Sequence, residues 1–270
     1  MKIGGRTRVF AILGDPVAHS LSPAMHNAGF LAEGIDAVYV PLRVTADSVA
    51  ATMRVLVSGG GGGNVTIPFK LHAAELADVQ RDARVERLGS ANVFAASADG
   101  MQVANTDVHG ILGAVDQLGD VTRCWRVVGT GGSARSVVGA AFERGARVSI
   151  VSRSPDRAAE FAAWAAERGV PAAAADECGL VINATPLGLV PSDPLPLDLA
   201  GLPPETRLLD LVYLRREETR WVAAARTTGR HAIDGREVLL AQGVASWPIW
   251  FPKRLAPVDI MRAAINGSLG

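Results

Sequence analysis

Short apolar runs alternate with longer amphipathic stretches along the first third of the chain. The runs at residues 9–13, 37–40 and 64–66 have the length of strands, whereas the stretches at 23–33 and 46–57 have helical patterns. Parallel strands need a crossover connection, which is usually a helix. The alternation therefore predicts parallel strands joined by helices.

A second alternating series starts near the middle of the chain. Its predicted strands are residues 126–128, 147–151, 180–182 and 208–212, and its predicted helices are residues 134–144 and 156–168. A domain usually has roughly 100–200 residues, and a chain of 270 residues with 49% apolar residues can fill two cores. The sequence thus predicts an α/β protein of two domains.

Five consecutive glycines at residues 59–63 form the most biased segment of the sequence. They follow a predicted helix and precede the predicted strand at 64–66. Such a run is typical of a loose surface loop, and a hinge that admits substrate is the alternative.

Charge and hydropathy narrow the range of partners. Lysine plus arginine and aspartate plus glutamate number 27 each, so no net field attracts nucleic acid or an anionic membrane surface. No run reaches the ~18–20 apolar residues of a membrane helix. We therefore expect a small-molecule substrate, no nucleic acid and no membrane partner. The oligomeric state does not follow from the sequence, and a monomer or a homodimer is the expectation.

The cysteines, the histidines and the N-terminus bear on compartment and metal binding. Cys124 and Cys178 are far apart in sequence, which favours neither a disulfide framework nor a metal-ligand pair. The five histidines lack the spacing of a metal site. The first residues lack a secretory signal. We expect a cytoplasmic protein without a bound metal.

A glycine-rich turn follows the predicted strand at 126–128 and opens a predicted helix. Gly129, Gly131 and Ala134 fit the dinucleotide pattern G-x-G-x-x-A in the strand–turn–helix context that this pattern requires. Such a turn receives the pyrophosphate at a helix N-terminus. The predicted cofactor-binding residues of the turn are Gly129, Thr130, Gly131, Gly132, Ser133 and Ala134.

Arginines follow the second strand of this unit, where NAD enzymes usually carry an acidic residue. The segment reads Ser152-Arg153-Ser154-Pro155-Asp156-Arg157. A guanidinium can bind the 2′-phosphate of NADP through charge-assisted hydrogen bonds, whereas a carboxylate would repel it. We expect Asp156 to lie in the first turn of a helix, where negative charge is favourable. Ser152, Arg153, Ser154 and Arg157 therefore predict NADP as the cofactor.

Lys70 and Asp107 are the candidate catalytic residues. Reduction of a ketone needs a hydride at carbon and a proton at oxygen, so a nicotinamide enzyme needs a nearby group that gives up and regains a proton. Lys70 follows a strand end, at the start of a predicted helix, and Asp107 is a carboxylate that can position its ammonium. Taken alone, Lys70 is more typical of a surface lysine in a first helical turn, and only the other motifs together favour the catalytic role.

Polar side chains recur at strand ends and are suited to bind a polyhydroxylated ring. They are Ser20, Ser22, Asn64, Thr66, Asn92 and Asn105. Each has an ordinary alternative role, since serine before proline is a common helix N-cap and asparagine often satisfies turn backbone. Only their joint occurrence favours a binding site.

Several motifs together resemble the shikimate dehydrogenase family over nearly the whole chain. They are GDPVAHSLSPAMHN at 14–27, GNVTIPFK at 63–70, ANTD at 104–107, GTGGSAR at 129–135 and INATPLGL at 182–189. The first two are the most specific to that family. The later segments DLVY at 210–213 and GREVLLAQG at 235–243 also match its pattern.

The resemblance implies reversible, NADPH-dependent reduction of 3-dehydroshikimate to shikimate, a step towards chorismate and the aromatic amino acids. It also implies a cleft between a substrate domain with a mixed, mostly parallel sheet and a Rossmann-type NADP-binding domain. The substrate domain is expected to comprise residues 1–107 and to be completed by C-terminal helices at 238–270. The Rossmann domain is expected to comprise residues 108–237.

Individual roles follow from the resemblance, residue by residue. Lys70 is the implied proton donor and acceptor, paired with Asp107. The implied substrate-binding residues are Ser20, Ser22, Asn64, Thr66, Asn92, Asp107, Tyr213 and Gln242. Leu211 and Gly235 are the implied additions to the cofactor-binding set.

Three departures from the family pattern leave alternatives open. Val93 stands where threonine is usual, the glycine run precedes Asn64, and LRREET follows Tyr213. Quinate or aminoshikimate dehydrogenases have a similar scaffold, and a non-catalytic sensor that binds shikimate and NADP is a second alternative.

Overall fold

The chain folds as two α/β units in a computed structural model that describes residues 3–119 and 123–267. One unit comprises Met1–Thr106 with Leu239–Gly270, and the other comprises Asp107–Val238. Asp107 therefore begins the second unit, whereas the sequence analysis placed it at the end of the first.

The first unit has a six-stranded sheet and six helices or parts of helices within its described residues. Its strands are β1 (Arg8–Gly14), β2 (Ala37–Arg43), β3 (Gly62–Val65), β4 (Val79–Arg81), β5 (Val93–Ser97) and β6 (Gly100–Ala104). Its helices are α1 (Ser22–Ala32), α2 (Ala46–Ser58), α3 (Lys70–Glu75), α4 (Ala83–Leu88), most of α9 (Gly235–Trp250) and α10 (Val258–Ile265).

The sheet of the first unit has the order β2-β1-β3-β5-β6-β4. Strands β1 and β2, β1 and β3, and β4 and β6 pair in parallel, whereas β5 pairs antiparallel with both β3 and β6. The predicted mixed, mostly parallel sheet is thus confirmed. The hairpin of β5 and β6, together with β4, was not among the predicted strands.

Part of the glycine run belongs to the sheet, so the predictions of a loose loop and of a hinge are wrong for Gly61, Gly62 and Gly63, whereas Gly59 and Gly60 form an exposed turn. Gly61, Gly62 and Gly63 are buried, and β3 begins at Gly62. A Cβ at Gly61 would overlap the Val9 carbonyl group, and one at Gly63 would overlap the carbonyl of Ala11. Glycine is required here because the neighbouring strand β1 leaves no room for a side chain.

Replacing Gly61 by alanine should destabilise the protein by about 2 kcal/mol, the cost typical of an overpacked site. Gly5→Ala is the matched control, since a Cβ at Gly5 meets nothing within 4 Å. Urea denaturation of both variants measures the effect. Equal stability of the two variants would show that β3 does not pack against β1 in this way.

Aromatic side chains fix the C-terminal helices against the start of the first unit. The ring of Phe10 on β1 lies 5.4 Å from that of Phe30 on α1 and 5.2 Å from that of Trp250 on α9. Trp247 Nε1 donates a hydrogen bond of 3.3 Å to Nδ1 of His26. Burial lowers the pKa of His26 to about 3, so its imidazole is neutral and accepts this bond. Helix α9 is thereby held on the sheet.

The second unit has a five-stranded sheet with helices between the strands. Its strands are β7 (Cys124–Val128), β8 (Arg147–Val151), β9 (Leu180–Asn183), β10 (Arg207–Asp210) and β11 (Ala232–Ile233). Its helices are α5 (Asp107–Gln117), α6 (Gly132–Arg144), α7 (Pro155–Glu167) and α8 (Arg220–Thr227), with a 3-10 turn at Ala175–Glu177 and the first residues of α9.

The strand order of this sheet is β11-β10-β9-β7-β8, and the four pairs are all parallel. The order reverses direction at β7, from which the chain passes first to β8 and then back to β9. This arrangement is the Rossmann-type fold that the sequence predicted.

The expectation that the two cysteines form no disulfide is wrong. Cys124 and Cys178 are paired as a disulfide, with Cα atoms 4.5 Å apart although 54 residues separate them in sequence. Cys124 begins β7, and Cys178 lies just before β9, which pairs with β7 in parallel. Neighbouring parallel strands start at the same edge of the sheet, which brings the two sulfurs together.

Candidate active site

Two serines lie at the start of helix α1. Ser22 is the first residue of the helix and is buried, and its backbone N–H donates a hydrogen bond of 3.2 Å to Oγ of the half-buried Ser20. Leu21, not Ser22, occupies the N-cap position. The helix start therefore holds the Ser20 hydroxyl against the backbone of Ser22, and Ser22 is not the cap.

Strand β3 leads directly into the segment that carries Lys70. Thr66 follows the strand, and its backbone N–H donates to the Leu13 carbonyl at 2.8 Å. Lys70 is the first residue of α3 and is half-buried. Its carbonyl accepts a hydrogen bond of 2.9 Å from the Ala91 N–H. The backbone of Lys70 is thus tied to the segment that precedes Asn92.

Buried amides and hydroxyls form a network between β3, the start of β5 and helix α9. The Asn64 amide nitrogen donates to the Asn92 carbonyl at 3.1 Å, and the Asn92 amide nitrogen donates to Thr106 Oγ1 at 3.0 Å and to Gln242 Oε1 at 3.2 Å. Asn64, Asn92 and Gln242 are 4%, 2% and 7% exposed. The structure therefore brings together three of the predicted substrate-binding amides.

Asn105 has the ordinary role that the sequence analysis gave as its alternative. Its side-chain nitrogen donates to the Ser90 carbonyl at 2.8 Å, and the residue is fully buried. It stabilises the connection before β5.

The glycine turn of the second unit fits a dinucleotide. Gly129 has φ +113°, a conformation that favours glycine, and a Cβ there would lie 3.0 Å from the Thr185 methyl carbon and 3.1 Å from the Ala184 carbonyl oxygen. Gly131 is the N-cap of α6, and a Cβ there would meet no protein atom within 4 Å. Ala134 is fully buried under the helix. The turn thus leaves open space in front of a helix N-terminus, where backbone N–H groups favour a phosphate.

The segment after β8 leaves two arginines exposed. Ser154 is the N-cap of α7, and its Oγ accepts a hydrogen bond of 3.4 Å from the Arg157 N–H. Arg153 and Arg157 are exposed, and neither forms an ion pair with another residue in the described parts of the chain. Asp156 lies in the first helical turn, as predicted. Both guanidinium groups are therefore available to an anion.

A buried carboxylate that the sequence analysis missed holds the loop next to the glycine turn. Asp210 Oδ1 accepts hydrogen bonds from the Asn183 side chain at 2.8 Å and the Val212 N–H at 3.0 Å, and Oδ2 accepts from the Thr219 hydroxyl at 2.7 Å. Asn183 in turn accepts from the backbone N–H and the hydroxyl of Thr185, whose methyl group leaves no room for a Cβ at Gly129. Burial raises the pKa of Asp210 to about 6, against the lowering effect of its hydrogen-bond donors.

The segment after β10 connects to the start of helix α9. The Leu211 N–H donates to the Asn183 carbonyl at 3.0 Å, and the Gly235 N–H donates to the Val212 carbonyl at 3.0 Å. Gly235 allows this approach, because a Cβ there would overlap the carbonyl of Leu211. Leu211 and Tyr213 are half-buried, so each presents part of its side chain outward.

Two further kinds of feature are absent from the described residues. Within residues 3–119 and 123–267, no group of three or more histidine, cysteine, aspartate or glutamate side chains is arranged to hold a metal ion. No helix in these same ranges is long and apolar enough to cross a membrane.

Comparison with known proteins identifies the family of this chain. Residues 12–94 match the family model for the shikimate dehydrogenase substrate binding domain. The shikimate dehydrogenase (NADP(+)) of Acidiphilium cryptum is 36% identical over 280 aligned residues, which cover 100% of this chain and 99% of the relative. The chain belongs to the shikimate dehydrogenase family. The resemblance inferred from the motifs is thereby confirmed.

Other members of the shikimate dehydrogenase family match at full length. The enzyme of Symbiobacterium thermophilum is 38% identical, covering 98% of this chain and 96% of its own. The crystal structure of shikimate 5-dehydrogenase from Thermus thermophilus, solved in complex with NADP(H) and shikimate, has a TM-score of 0.84 and 30% identity. It covers 97% of this chain and 100% of that one. The fold is therefore that of the family from end to end.

Proposed function

We propose that this chain is an NADP-dependent shikimate dehydrogenase of the pathway to chorismate and the aromatic amino acids. The reaction is 3-dehydroshikimate + NADPH + H⁺ ⇌ shikimate + NADP⁺. The end-to-end similarity to curated shikimate dehydrogenases carries the proposal, because it spans both the substrate-binding and the dinucleotide-binding parts of the chain.

Residues of the first unit are proposed to bind the ring acid. Ser20 and Ser22 are assigned to the substrate carboxylate, which hydroxyl donors at a helix start are suited to bind. Asn64, Thr66, Asn92 and Gln242 are assigned to the ring hydroxyls, together with Asp107 and Tyr213 of the second unit. Buried amides supply both donors and acceptors, so each can pair with a hydroxyl.

Lys70 is proposed to hold the proton that the carbonyl oxygen receives. In the reducing direction its ammonium group gives a proton to that oxygen, and in the oxidising direction its amine takes the proton back from the hydroxyl. Asp107 is proposed to position the ammonium group and to help return the proton from solvent. Of the 27 basic residues in the chain only three are lysines, and arginine cannot give up its proton in this way.

The residues of the glycine turn and the arginine segment would hold NADP. Gly129, Thr130, Gly131, Gly132, Ser133 and Ala134 are assigned to the pyrophosphate, Ser152, Arg153, Ser154 and Arg157 to the 2′-phosphate, and Leu211 and Gly235 to the nicotinamide side. When bound, NADPH supplies the hydride. The chain's contribution is to fix the nucleotide and to exclude water around it.

Replacing Arg153 by alanine should raise the KM for NADP about thirtyfold and leave the KM for NAD unchanged, because NAD lacks the phosphate that a guanidinium binds. Arg144→Ala, at an arginine that pairs with Asp116 on the surface, is the matched control. Initial rates with each nucleotide at saturating shikimate measure both constants. Equal rises in the KM values for NADP and NAD would show that residues other than Arg153 bind the 2′-phosphate.

Substrate identity is tested by the ratio of kcat to KM for shikimate, quinate and aminoshikimate. The account predicts the highest ratio with shikimate. A higher ratio with quinate or aminoshikimate would move the chain to that branch of the family and leave the reaction type unchanged. A cytoplasmic location and a monomeric or dimeric state are further proposals, to be tested by cell fractionation and by sedimentation.

A further inference from the structure

Three buried amides of the first unit are each oriented by a backbone group that has only one hydrogen-bonding sense. The Asn92 and Leu239 carbonyl oxygens can only accept, so the nitrogen ends of Asn64 and Gln242 face them, at 3.1 and 2.8 Å. The Thr106 N–H can only donate, so Asn92 turns its oxygen to it, at 2.7 Å. Each amide therefore has a single orientation.

Tyr39 completes the orientation of Asn64. Since the Asn64 nitrogen faces a carbonyl, its oxygen points the other way, to the Tyr39 hydroxyl at 2.6 Å. The hydroxyl donates this bond, because an amide oxygen has no hydrogen to give. A buried carbonyl oxygen that lost its donor would bear the full cost of desolvation.

The position of Tyr39 is itself tightly fixed. The Asn27 side chain forms two hydrogen bonds of 2.8 Å with the Tyr39 backbone, one to its carbonyl and one from its N–H. The tyrosine ring lies 4.6 Å from the His26 ring and is 1% exposed. The hydroxyl of Tyr39 is therefore held at one place next to Asn64.

Ser246 joins the network from helix α9. Its hydroxyl donates to the Gln242 carbonyl at 2.9 Å, which leaves its lone pairs for the Asn64 nitrogen at 3.4 Å and the Thr106 hydroxyl at 3.3 Å. Ser246 and Thr106 are 0% and 2% exposed. One serine hydroxyl thus connects the strand, the helix and the segment after β6.

We infer that Tyr39 and Ser246 are positioning residues, which hold the amides of Asn64, Asn92 and Gln242 in the orientation that receives the ring hydroxyls of the substrate. The inference rests on the proposed function, because it assigns these two hydroxyls a role in shikimate binding. Both act through the amides, so their loss should weaken substrate binding and leave nucleotide binding unaffected.

Tyr39→Phe and Ser246→Ala each remove one hydroxyl and keep most of the packing. We expect the KM for shikimate to rise about tenfold in each, the loss of about one substrate hydrogen bond when the amide is no longer held in place, with the KM for NADP within twofold of the unaltered protein. Ser97→Ala is the matched control, since the buried Ser97 hydroxyl has no hydrogen-bond partner in the described residues. The control should keep both KM values.

A double-mutant cycle separates positioning from general stability. In an Asn64→Ala background, Tyr39→Phe should raise the KM for shikimate less than twofold further, because its effect passes through the Asn64 amide. Three outcomes would overturn the inference while the function stands. They are additive effects of the two substitutions on the KM for shikimate, an unchanged KM for shikimate in Tyr39→Phe, and equal rises in the KM values for shikimate and NADP. No shikimate turnover by the unaltered protein would overturn the proposed function and the inference with it.

Discussion

Replacing Lys70 by alanine should lower kcat for shikimate oxidation about a thousandfold, in the range that loss of a positioned proton-transfer group typically costs. The KM for shikimate should change little, since the ring hydroxyls and carboxylate are assigned to other residues. Steady-state rates at saturating shikimate and NADP measure both constants. Lys253→Ala is the matched control, because Lys253 is exposed on the surface.

Lys70→Arg sharpens the test. Arginine keeps the positive charge but cannot release its proton near neutral pH, so this variant should be as slow as Lys70→Ala. If Lys70→Arg instead retained most of the activity, the role of position 70 would be electrostatic and not proton transfer. Unchanged kcat in Lys70→Ala would remove Lys70 from the mechanism altogether.

Replacing Asp210 by alanine should destabilise the protein by about 3 kcal/mol, because three buried donors would lose their acceptor. These donors are the Asn183 side chain, the Val212 N–H and the Thr219 hydroxyl. Asp210→Asn should lower the free energy of unfolding by less than about 1 kcal/mol. The amide oxygen of the asparagine can still accept from Asn183 and Val212, and the Thr219 hydroxyl can turn to accept from the amide nitrogen. Urea denaturation at pH 7 compares the two variants.

The same carboxyl group gives stability a specific pH dependence. Burial raises the pKa of Asp210 from 3.8 to about 6, so between these values the folded protein binds a proton that the unfolded chain has released. Stability contributed by this group therefore increases as pH falls through 6 towards 4, and is lost as pH rises again. When the pH is lowered from 7 to 4.5, the free energy of unfolding of the unaltered protein should rise by about 2 kcal/mol relative to that of Asp210→Asn.

Comparison with Asp210→Asn cancels the titration of every other group. A stability difference between the two proteins that stays constant from pH 7 to pH 4.5 would contradict the raised pKa. Equal stability of the alanine and asparagine variants would contradict the hydrogen bonds assigned to Asp210.

The elements that the sequence predicted well are those with long, regular patterns. Strand β8 was predicted with its observed bounds, and helix α2 within one residue, because an uninterrupted apolar or amphipathic period defines each. Strands β4 and β11 have three and two residues, too few to show a period. Gly61 and Gly63 were misread as a loop because the reason for them lies in the neighbouring strand β1, where the Val9 and Ala11 carbonyls leave no space.

The residues of the candidate site differ in how far the sequence indicates their roles. Residues in contiguous motifs, such as Asn64, Thr66 and Lys70, could be proposed from the sequence because the motif itself indicates their chemistry, and their roles stay predictions. The supporting residues could not, since Ser246 meets Asn64 across 182 positions of sequence. Asp210 was missed because the apolar run around it predicted a strand as far as residue 212, whereas the strand ends at this buried carboxylate. A charge inside an apolar run was the available signal.

The proposed activity is tested by initial rates of NADP reduction by the purified protein with shikimate, measured beside quinate and with NAD in place of NADP. We expect clear turnover with shikimate and NADP, and lower kcat/KM with quinate or with NAD. Absence of turnover with every pairing, in protein that binds both ligands in calorimetry, would contradict the proposed activity and identify the chain as a ligand sensor.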